Sequence, residues 1–302
     1  MSPTEVPCAL CGARDTTRLY TKYKHGIERC RRCGLVYANP RAPEAAILAR
    51  YNSEYFWNEY LPAVAAEGGR VDLDYQDQRY AAMLAFIDRH TPGARRMLEV
   101  GTGAGLFLKS AERAGWEVAG LELSPDGSAF ARERLGLDVR TERAEAMSFP
   151  AGSFDVAVMF DVIEHLFDPG AVLEATRGAL APGGVLVVST PNFNALSRWV
   201  LGADWAVLSP LEHTYYFTER TLGRLLMSAG FRAPVFERRF AGWAVPETMN
   251  HNYTHAPEHW RARWYEDLLD RFGETILPVV QARGRSDTIL CVAGTGISRV
   301  SR

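Results

Sequence analysis

The stretch Glu99-Val100-Gly101-Thr102-Gly103-Ala104-Gly105 constrains the chain most. A short apolar run, residues 97–100, leads into it. A helical run, residues 106–114, leaves it and stops at Gly115. A glycine-rich turn between a buried strand and a helix is a nucleoside-binding corner of parallel α/β sheets. The spacing discriminates among such sheets. The dinucleotide fingerprint G-x-G-x-x-G requires glycine at position 106, where this chain has Leu106. The pattern here is G-x-G-x-G with an acid, Glu99, before it, and the sequence holds no G-x-x-x-x-G-K-[ST] phosphate loop.

The rest of the chain keeps the alternation. Residues 116–123 read as a second strand, and Ser124-Pro125 supplies an N-cap and a first-turn proline for a helix ending at Gly136. Residues 154–160 are a strand, and Asp168-Pro169 opens a helix that ends near Pro182-Gly183-Gly184. Residues 185–190, 231–240 and 288–293 read as strands, and residues 218–229 as a helix closed by Gly230. The predicted fold is α/β, a Rossmann-like parallel sheet with helices on both faces. Glu122 ends the second strand, where an acid can accept hydrogen bonds from both hydroxyls of a ribose.

Four of the five cysteines lie near the start, as Cys8-x2-Cys11 and Cys30-x2-Cys33 with 18 residues between the pairs. Each knuckle offers two thiolates from one tight turn, and Gly12 and Gly34 follow where small residues are needed. The expected ligand is Zn²⁺. Four thiolates leave no open coordination position, so the site is expected to be structural. Cys291, in an apolar run, is expected in the core.

Hydrophobic residues make up 47% and charged residues 23%, with a formal net charge of −2. This balance provides no basic field for nucleic acid or an anionic membrane. No apolar run reaches the roughly 18–20 residues that span a bilayer. The first residues lack the basic-then-apolar pattern of a signal peptide. The expected location is the cytoplasm, where thiols stay reduced and favour metal over disulfides.

Taken together, these residues resemble the class I S-adenosylmethionine (SAM)-dependent methyltransferases. The matching stretches are Leu98 to Gly105, Gly120-Leu-Glu122-Leu-Ser-Pro, Ser153 to Leu166 with Asp161-Val-Ile-Glu164-His165, Leu180 to Leu186, and Ser189-Thr-Pro-Asn192. The N-terminal cysteines and the aromatic stretch Tyr51 to Trp57 are similar to a zinc-ribbon subgroup whose members often act in bacterial secondary metabolism or on sugars. The resemblance implies three regions: residues 1–45 as zinc-ribbon module, 46–75 as aromatic linker or lid, and 76–302 as methyltransferase domain. It implies that Gly101, Gly103 and Gly105 admit the methionine part of SAM beside Glu99, and that Glu122 holds the ribose. Leu123 would pack on adenine, Ala144 and Glu145 would lie along its edge, and Phe160 and Asp161 would sit below the sulfonium. Arg143 stands where many relatives carry an aspartate for adenine, which shifts that task to backbone groups or Glu145.

Methyl transfer from a sulfonium is an in-line displacement that needs alignment and, for many acceptors, a base. His213, in the connection after residues 185–190, is the first candidate base; His165 and Tyr215 are weaker ones. Tyr216, Trp199, Trp205 and Trp243 are candidate acceptor-site walls. His251, His255 and His259 recur every four residues, but Pro257 breaks a helix there. The expected activity is methyl transfer to an O, N or C atom of a small metabolite or activated sugar. Alternatives are a protein or nucleic-acid methyltransferase that grips its target with the zinc module, or a SAM-binding protein without catalysis.

Overall fold

The computed structural model describes residues 3–50, 52–66, 70–239 and 259–296. The N-terminal strands β1 (Thr16–Lys22), β2 (His25–Cys30) and β3 (Val36–Ala38) form an antiparallel ribbon. After α1 (Glu44–Leu48), residues 53–64 form a helical stretch whose centre, Phe56–Tyr60, is a π-turn. Helix α2 (Leu73–His90) leads into the main sheet. There follow β4 (Arg96–Val100), α3 (Leu106–Arg113), β5 (Glu117–Leu121), α4 (Pro125–Leu135), β6 (Val139–Arg140), β7 (Phe154–Phe160), α5 (Pro169–Ala179) and β8 (Leu180–Pro191). The chain continues through α6 (Leu196–Leu201), β9 (Tyr215–Tyr216), α7 (Glu219–Ser228), β10 (Arg232–Glu237), α8 (Trp260–Ala282) and β11 (Thr288–Gly294).

The main sheet has seven strands in the order β10-β11-β8-β7-β4-β5-β6. The five strands from β8 to β6 are parallel. The expectation of a parallel sheet fails at one strand: β11 runs antiparallel to both β8 and β10, so β10 keeps the direction of the other five. Strand β6 was not foreseen: two residues carry no periodicity. The strand order reverses between β4 and β7, which opens a crevice beyond their carboxyl ends.

Burial explains the continuous apolar runs. Val156, Ala157, Val158 and Met159 of β7 are all fully buried. Val156 and Val158 face Phe86, Phe107 and Val187, while Ala157 and Met159 face Leu173, Leu186 and Val188. Period-two alternation therefore serves two cores, because helices cover both faces. The predicted caps form. Ser124 Oγ accepts from Gly127 N at 3.2 Å and Asp168 Oδ1 from Ala171 N at 3.0 Å, while Thr218 and Thr221 cap α7 reciprocally.

The cysteine ribbon is not a free appendage. Strand β9 completes its sheet, pairing Val36 with Tyr216 and Tyr37 with Tyr215. Cys8, Cys30, Cys33 and Tyr37 share one apolar cluster with Leu222 and Leu225 of α7, and Arg224 Nη1 donates to Cys33 O at 3.3 Å. Cys291 is fully buried, as expected.

Asp287, just before β11, accepts a hydrogen bond from Ser197 Oγ and is buried. Burial raises its carboxyl to about 6, against the opposing Ser197 bond. A folded pKa above the unfolded value stabilises fully below the unfolded pKa and loses that stability as pH rises through the folded one. Asp287→Asn is therefore expected to flatten the fall in stability between about pH 4 and 6, a term on the order of 3 kcal/mol. Urea midpoints at pH 4.5 and 7.5 check it; an equal pH dependence in both proteins removes the effect.

No helix among the described residues is long and apolar enough to cross a membrane.

Candidate active site

A cavity of about 820 Å³ lies beyond the carboxyl ends of β4, β5 and β7, a size suited to a small ligand. The glycine loop forms its floor. Gly101 N and Thr102 N both donate to Leu121 O, tying the loop to the end of β5. Gly103 has a φ of +54°, and a Cβ there would overlap the Tyr60 hydroxyl. Only glycine fits both the conformation and the space. Gly105 behaves differently. It does not line the cavity; a side chain there would meet Ala131 and Leu137, so its role in this fold is to let α4 pack against the start of α3.

Two carboxylates lie in this floor. Glu122 accepts from Gly103 N through Oε2 and from Ser124 N through Oε1, each at 2.7 Å. It thereby joins the loop to the N-terminus of α4. Each oxygen keeps a second lone pair, and the residue lines the cavity. Burial raises its pKa despite the backbone donors of Ser124, Gly103 and Leu123. Glu99 is 4% exposed and its Oε2 has no hydrogen-bond partner. Burial, then the nearby charge of Glu122, holds its carboxyl well above the usual range. An orphaned carboxylate beside a glycine cradle suits an ammonium group.

Leu123, Ala144, Glu145, Phe160 and Asp161 line the same cavity. Leu123 is 43% exposed, an apolar face open to a ligand. Arg143 bonds Glu145 Oε1 at 2.7 Å and also Glu44 of α1. It thus bridges α1 to the cavity edge, and Glu145 already holds a cation partner. Asp161 has a φ of +54°, unusual for a non-glycine residue. Its backbone N donates to Ser189 O at 3.2 Å, and Ser189 Oγ donates to its Oδ1 at 3.1 Å. Its carboxyl opens to the cavity, where partial desolvation raises its pKa against that bond.

The aromatic stretch both packs and roofs. Phe56 is buried, and Trp57 meets Phe130 of α4 edge-on at 5.9 Å. Trp57 Nε1 and Ser53 Oγ donate to Asp126. Tyr55 and Tyr60 face the cavity. Spacing foresaw neither contact, because α4 is more than sixty residues further along the chain.

His165 also lines the cavity. Its Nδ1 lies 2.9 Å from Glu212 O, and His213 Nδ1 lies 2.8 Å from Val207 O. A carbonyl only accepts, so each Nδ1 carries the proton and each Nε2 the lone pair. Burial pushes His165 down to about 3, with His213 adding to it, and burial also lowers His213. The rings meet edge-on with centroids 4.7 Å apart. His213 does not line the cavity; it stands behind His165. Tyr215 is buried, donates to Phe167 O and receives a bond from Arg41, and does not line the cavity.

Among the described residues, the expected aromatic walls do not line the cavity. Trp205 and Tyr216 are buried in a separate cluster, and Trp199 is exposed beside Arg198 and Arg285. His259 caps α8, accepting from Arg261 N at 3.3 Å. Trp243, His251 and His255 lie outside the described residues.

The four N-terminal thiols converge. Cys8 and Cys33 sulfurs are 3.3 Å apart, Cys11 and Cys30 sulfurs 3.5 Å, and all four lie within 4.8 Å of one another. Tetrahedral Zn–S bonds of about 2.3 Å set sulfurs roughly 3.8 Å apart, so the donor set fits zinc.

Residues 74–233, just over half of the chain, match the family described as "Methyltransferase domain". The chain belongs to the class I SAM-dependent methyltransferase family. Among curated relatives of this methyltransferase, a ubiquinone biosynthesis O-methyltransferase of Cereibacter sphaeroides (strain KD131) is 35% identical over 147 residues, 45% of this chain and 58% of that protein. One from Bradyrhizobium sp. (strain ORS 278), with the same name, is 30% identical over 178 residues, 52% and 68%. The chain thus spans little more than half the length of the first of these relatives. A crystal structure of a Pyrococcus horikoshii OT3 protein aligns with a TM-score of 0.51 at 16% identity, covering 80% of this chain and 98% of that one. Phosphoethanolamine N-methyltransferase 2 of Haemonchus contortus, in complex with SAM, aligns at 0.50 and 17% identity, covering 81% and 59%. These likenesses support the fold. The cavity suits the co-substrate of the family: Glu99 offers an unmatched acceptor for an ammonium, Glu122 offers lone pairs for a diol, and Leu123 offers an apolar face.

Proposed function

We propose that this methyltransferase moves the methyl group of SAM to an oxygen of a small acceptor, with ring hydroxyls of the kind that the relatives' name, ubiquinone biosynthesis O-methyltransferase, implies as the leading class. One observation carries the reading. An imidazole, His165, borders the cavity that also holds Glu99, Glu122 and the glycine loop, and a second imidazole backs it. A neutral imidazole bordering the cavity suits an acceptor hydroxyl that must lose its proton. The names of the curated relatives support oxygen as the target. In this reading Gly101 and Gly103 admit the methionine part, Glu99 meets its ammonium, Glu122 holds the ribose, and Leu123, Ala144 and Glu145 flank adenine. Phe160 and Asp161 lie toward the sulfonium. SAM supplies the electrophilic methyl group when bound.

Residues 1–45 form a structural zinc module through Cys8, Cys11, Cys30 and Cys33, residues 46–75 a roof, and residues 76–302 the catalytic domain. Paired cysteines suited to a metal rather than a disulfide support a reducing compartment such as the cytoplasm.

The test is transfer of labelled methyl from SAM to a panel of phenols, catechols and nucleotide-activated sugars. Label in an O-methylated phenol is the expected result. His213→Ala is expected to lower kcat by about a hundredfold or more, with S-adenosylhomocysteine affinity kept. Label confined to sugars moves the substrate class, and label found only in protein or nucleic acid overturns the reading.

A further inference from the structure

We propose that Arg29, Arg198 and Arg285 form a binding site for the phosphate of a small phosphomonoester, outside the methyl-transfer cavity. None of the three lines that cavity, so the inference stands apart from the function proposed above.

The three guanidinium groups come from β2 of the cysteine ribbon, from α6 and from the segment before β11. Trp199 marks where two of them meet. Arg198 and Arg285 both lie over its ring, with guanidinium carbons 4.6 and 5.6 Å from the centroid. Docking of the ribbon on α6 brings the third. The Tyr20 hydroxyl of β1 accepts from Arg198 Nη1 at 3.4 Å. Ile27 of β2 is buried in one cluster with Phe193 and Leu201. Arg29 stands two residues further along that strand, on the same face as Ile27.

Arg198 supplies the second, independent observation. It is 7% exposed, and its bonds go to neutral oxygens. Nε donates to Phe193 O and Nη1 to the Tyr20 hydroxyl, while Nη2 makes no hydrogen bond among the described residues. Arg285 Nη1 likewise donates to a carbonyl, Asn194 O, at 3.3 Å. Arg18, Arg50, Arg96, Arg113, Arg143 and Arg238 all face carboxylates. Arg29, Arg198 and Arg285 face none among the described residues. The acids near them in sequence are engaged elsewhere. Asp287 accepts from Ser197 Oγ, and Glu28 is held by Thr16, Arg18 and Asn39. Burial lowers the pKa of Arg198; Tyr20 opposes this, and the charges of Arg29 and Arg285 lower it further. A buried cation pressed by two like charges is destabilising until an anion neutralises it.

A guanidinium fork matches the oxygens of carboxylates and phosphates alike. The count of cations selects between them. A carboxylate or a phosphodiester brings one negative charge to three positive ones. A phosphomonoester brings close to two at neutral pH, with three acceptor oxygens. Trp199 is 60% exposed, an apolar surface for the organic part of the ligand. One open ring beside one cation cluster matches a ligand of ring-plus-phosphate size.

The test is calorimetric titration of the zinc-loaded full chain, saturated with S-adenosylhomocysteine so that the cavity is filled. The probes are phenyl phosphate, inorganic phosphate and dimethyl phosphate. Wild type is expected to bind one equivalent of phenyl phosphate, with inorganic phosphate weaker and the diester weaker by about tenfold or more. Arg29→Ala and Arg285→Ala are each expected to weaken phenyl phosphate by about tenfold, with S-adenosylhomocysteine affinity kept within about twofold. Phenyl phosphate should raise the melting temperature of wild type. Arg198→Met should lose that rise, yet melt no lower than wild type in phosphate-free buffer, because a buried unpaired charge is gone. No saturable phosphate binding by wild type overturns the site, and so does unchanged affinity in both folded alanine variants. Dimethyl phosphate binding as tightly as phenyl phosphate also overturns it, because the surface would then read the diesters of nucleic acid or lipid. No turnover is measured, so failure here leaves the methyl-transfer reading untouched.

Discussion

Replacing Cys30 with serine is expected to strip the metal from the N-terminal ribbon and lower the melting temperature by on the order of 10 °C. A structural zinc contributes roughly 10 kcal/mol or more to a segment with little core of its own. The ribbon here has little: β1 is half-exposed or exposed along its length, and β3 has three residues. The damage should spread. Strand β9 pairs with β3, and His213 lies two residues before β9. Loss of the ribbon therefore frees the segment that carries His213, while Glu122 and the glycine loop rest on the main sheet. Turnover should fall further than S-adenosylhomocysteine affinity. Elemental analysis, calorimetric melting and cofactor titration of the same variant check this. Unchanged metal content and melting temperature would exclude a zinc ligand at position 30.

Glu122→Ala is expected to weaken S-adenosylhomocysteine binding by about a hundredfold. Hydrogen bonds to a charged group contribute about 1.5–3 kcal/mol each, and a ribose diol offers two. The same carboxylate anchors Gly103 N and Ser124 N, so its removal also loosens the loop that the cofactor must fit. Glu122→Gln keeps an acceptor oxygen and should bind with intermediate affinity. Isothermal titration calorimetry decides. Equal affinity in wild type and the alanine variant would remove Glu122 from the cofactor site.

Much of this protein is local and hence legible in its sequence. The glycine spacing excludes a dinucleotide turn because Gly101, Gly103 and Gly105 each take the positive φ that this turn requires at its own positions. Ser124, Asp168 and Thr218 cap their helices because a cap joins groups no more than three residues apart. The two cysteine pairs sit on tight turns for the same reason: Gly12 N and Gly34 N return to Cys8 O and Cys30 O. Continuous apolar runs mark buried strands, since helices on both faces leave no polar side to reveal.

Only the tertiary structure decided the rest. Antiparallel pairing of β10 and β11 carries no local signature, because direction depends on where the chain has travelled. Gly105 looks like its neighbours in the loop, yet it faces Ala131 and Leu137 across a helix contact. Arg143 stands where the resemblance implied an aspartate, and its partner Glu44 is contributed by α1. The insertion of β9 into the cysteine ribbon joins residues 36 and 216. The edge-on meeting of His165 and His213 depends on that same docking. Spacing along a chain reports contacts within a turn or a strand; a site built by two loops, nearly fifty residues apart, exists only once the sheet has brought them together.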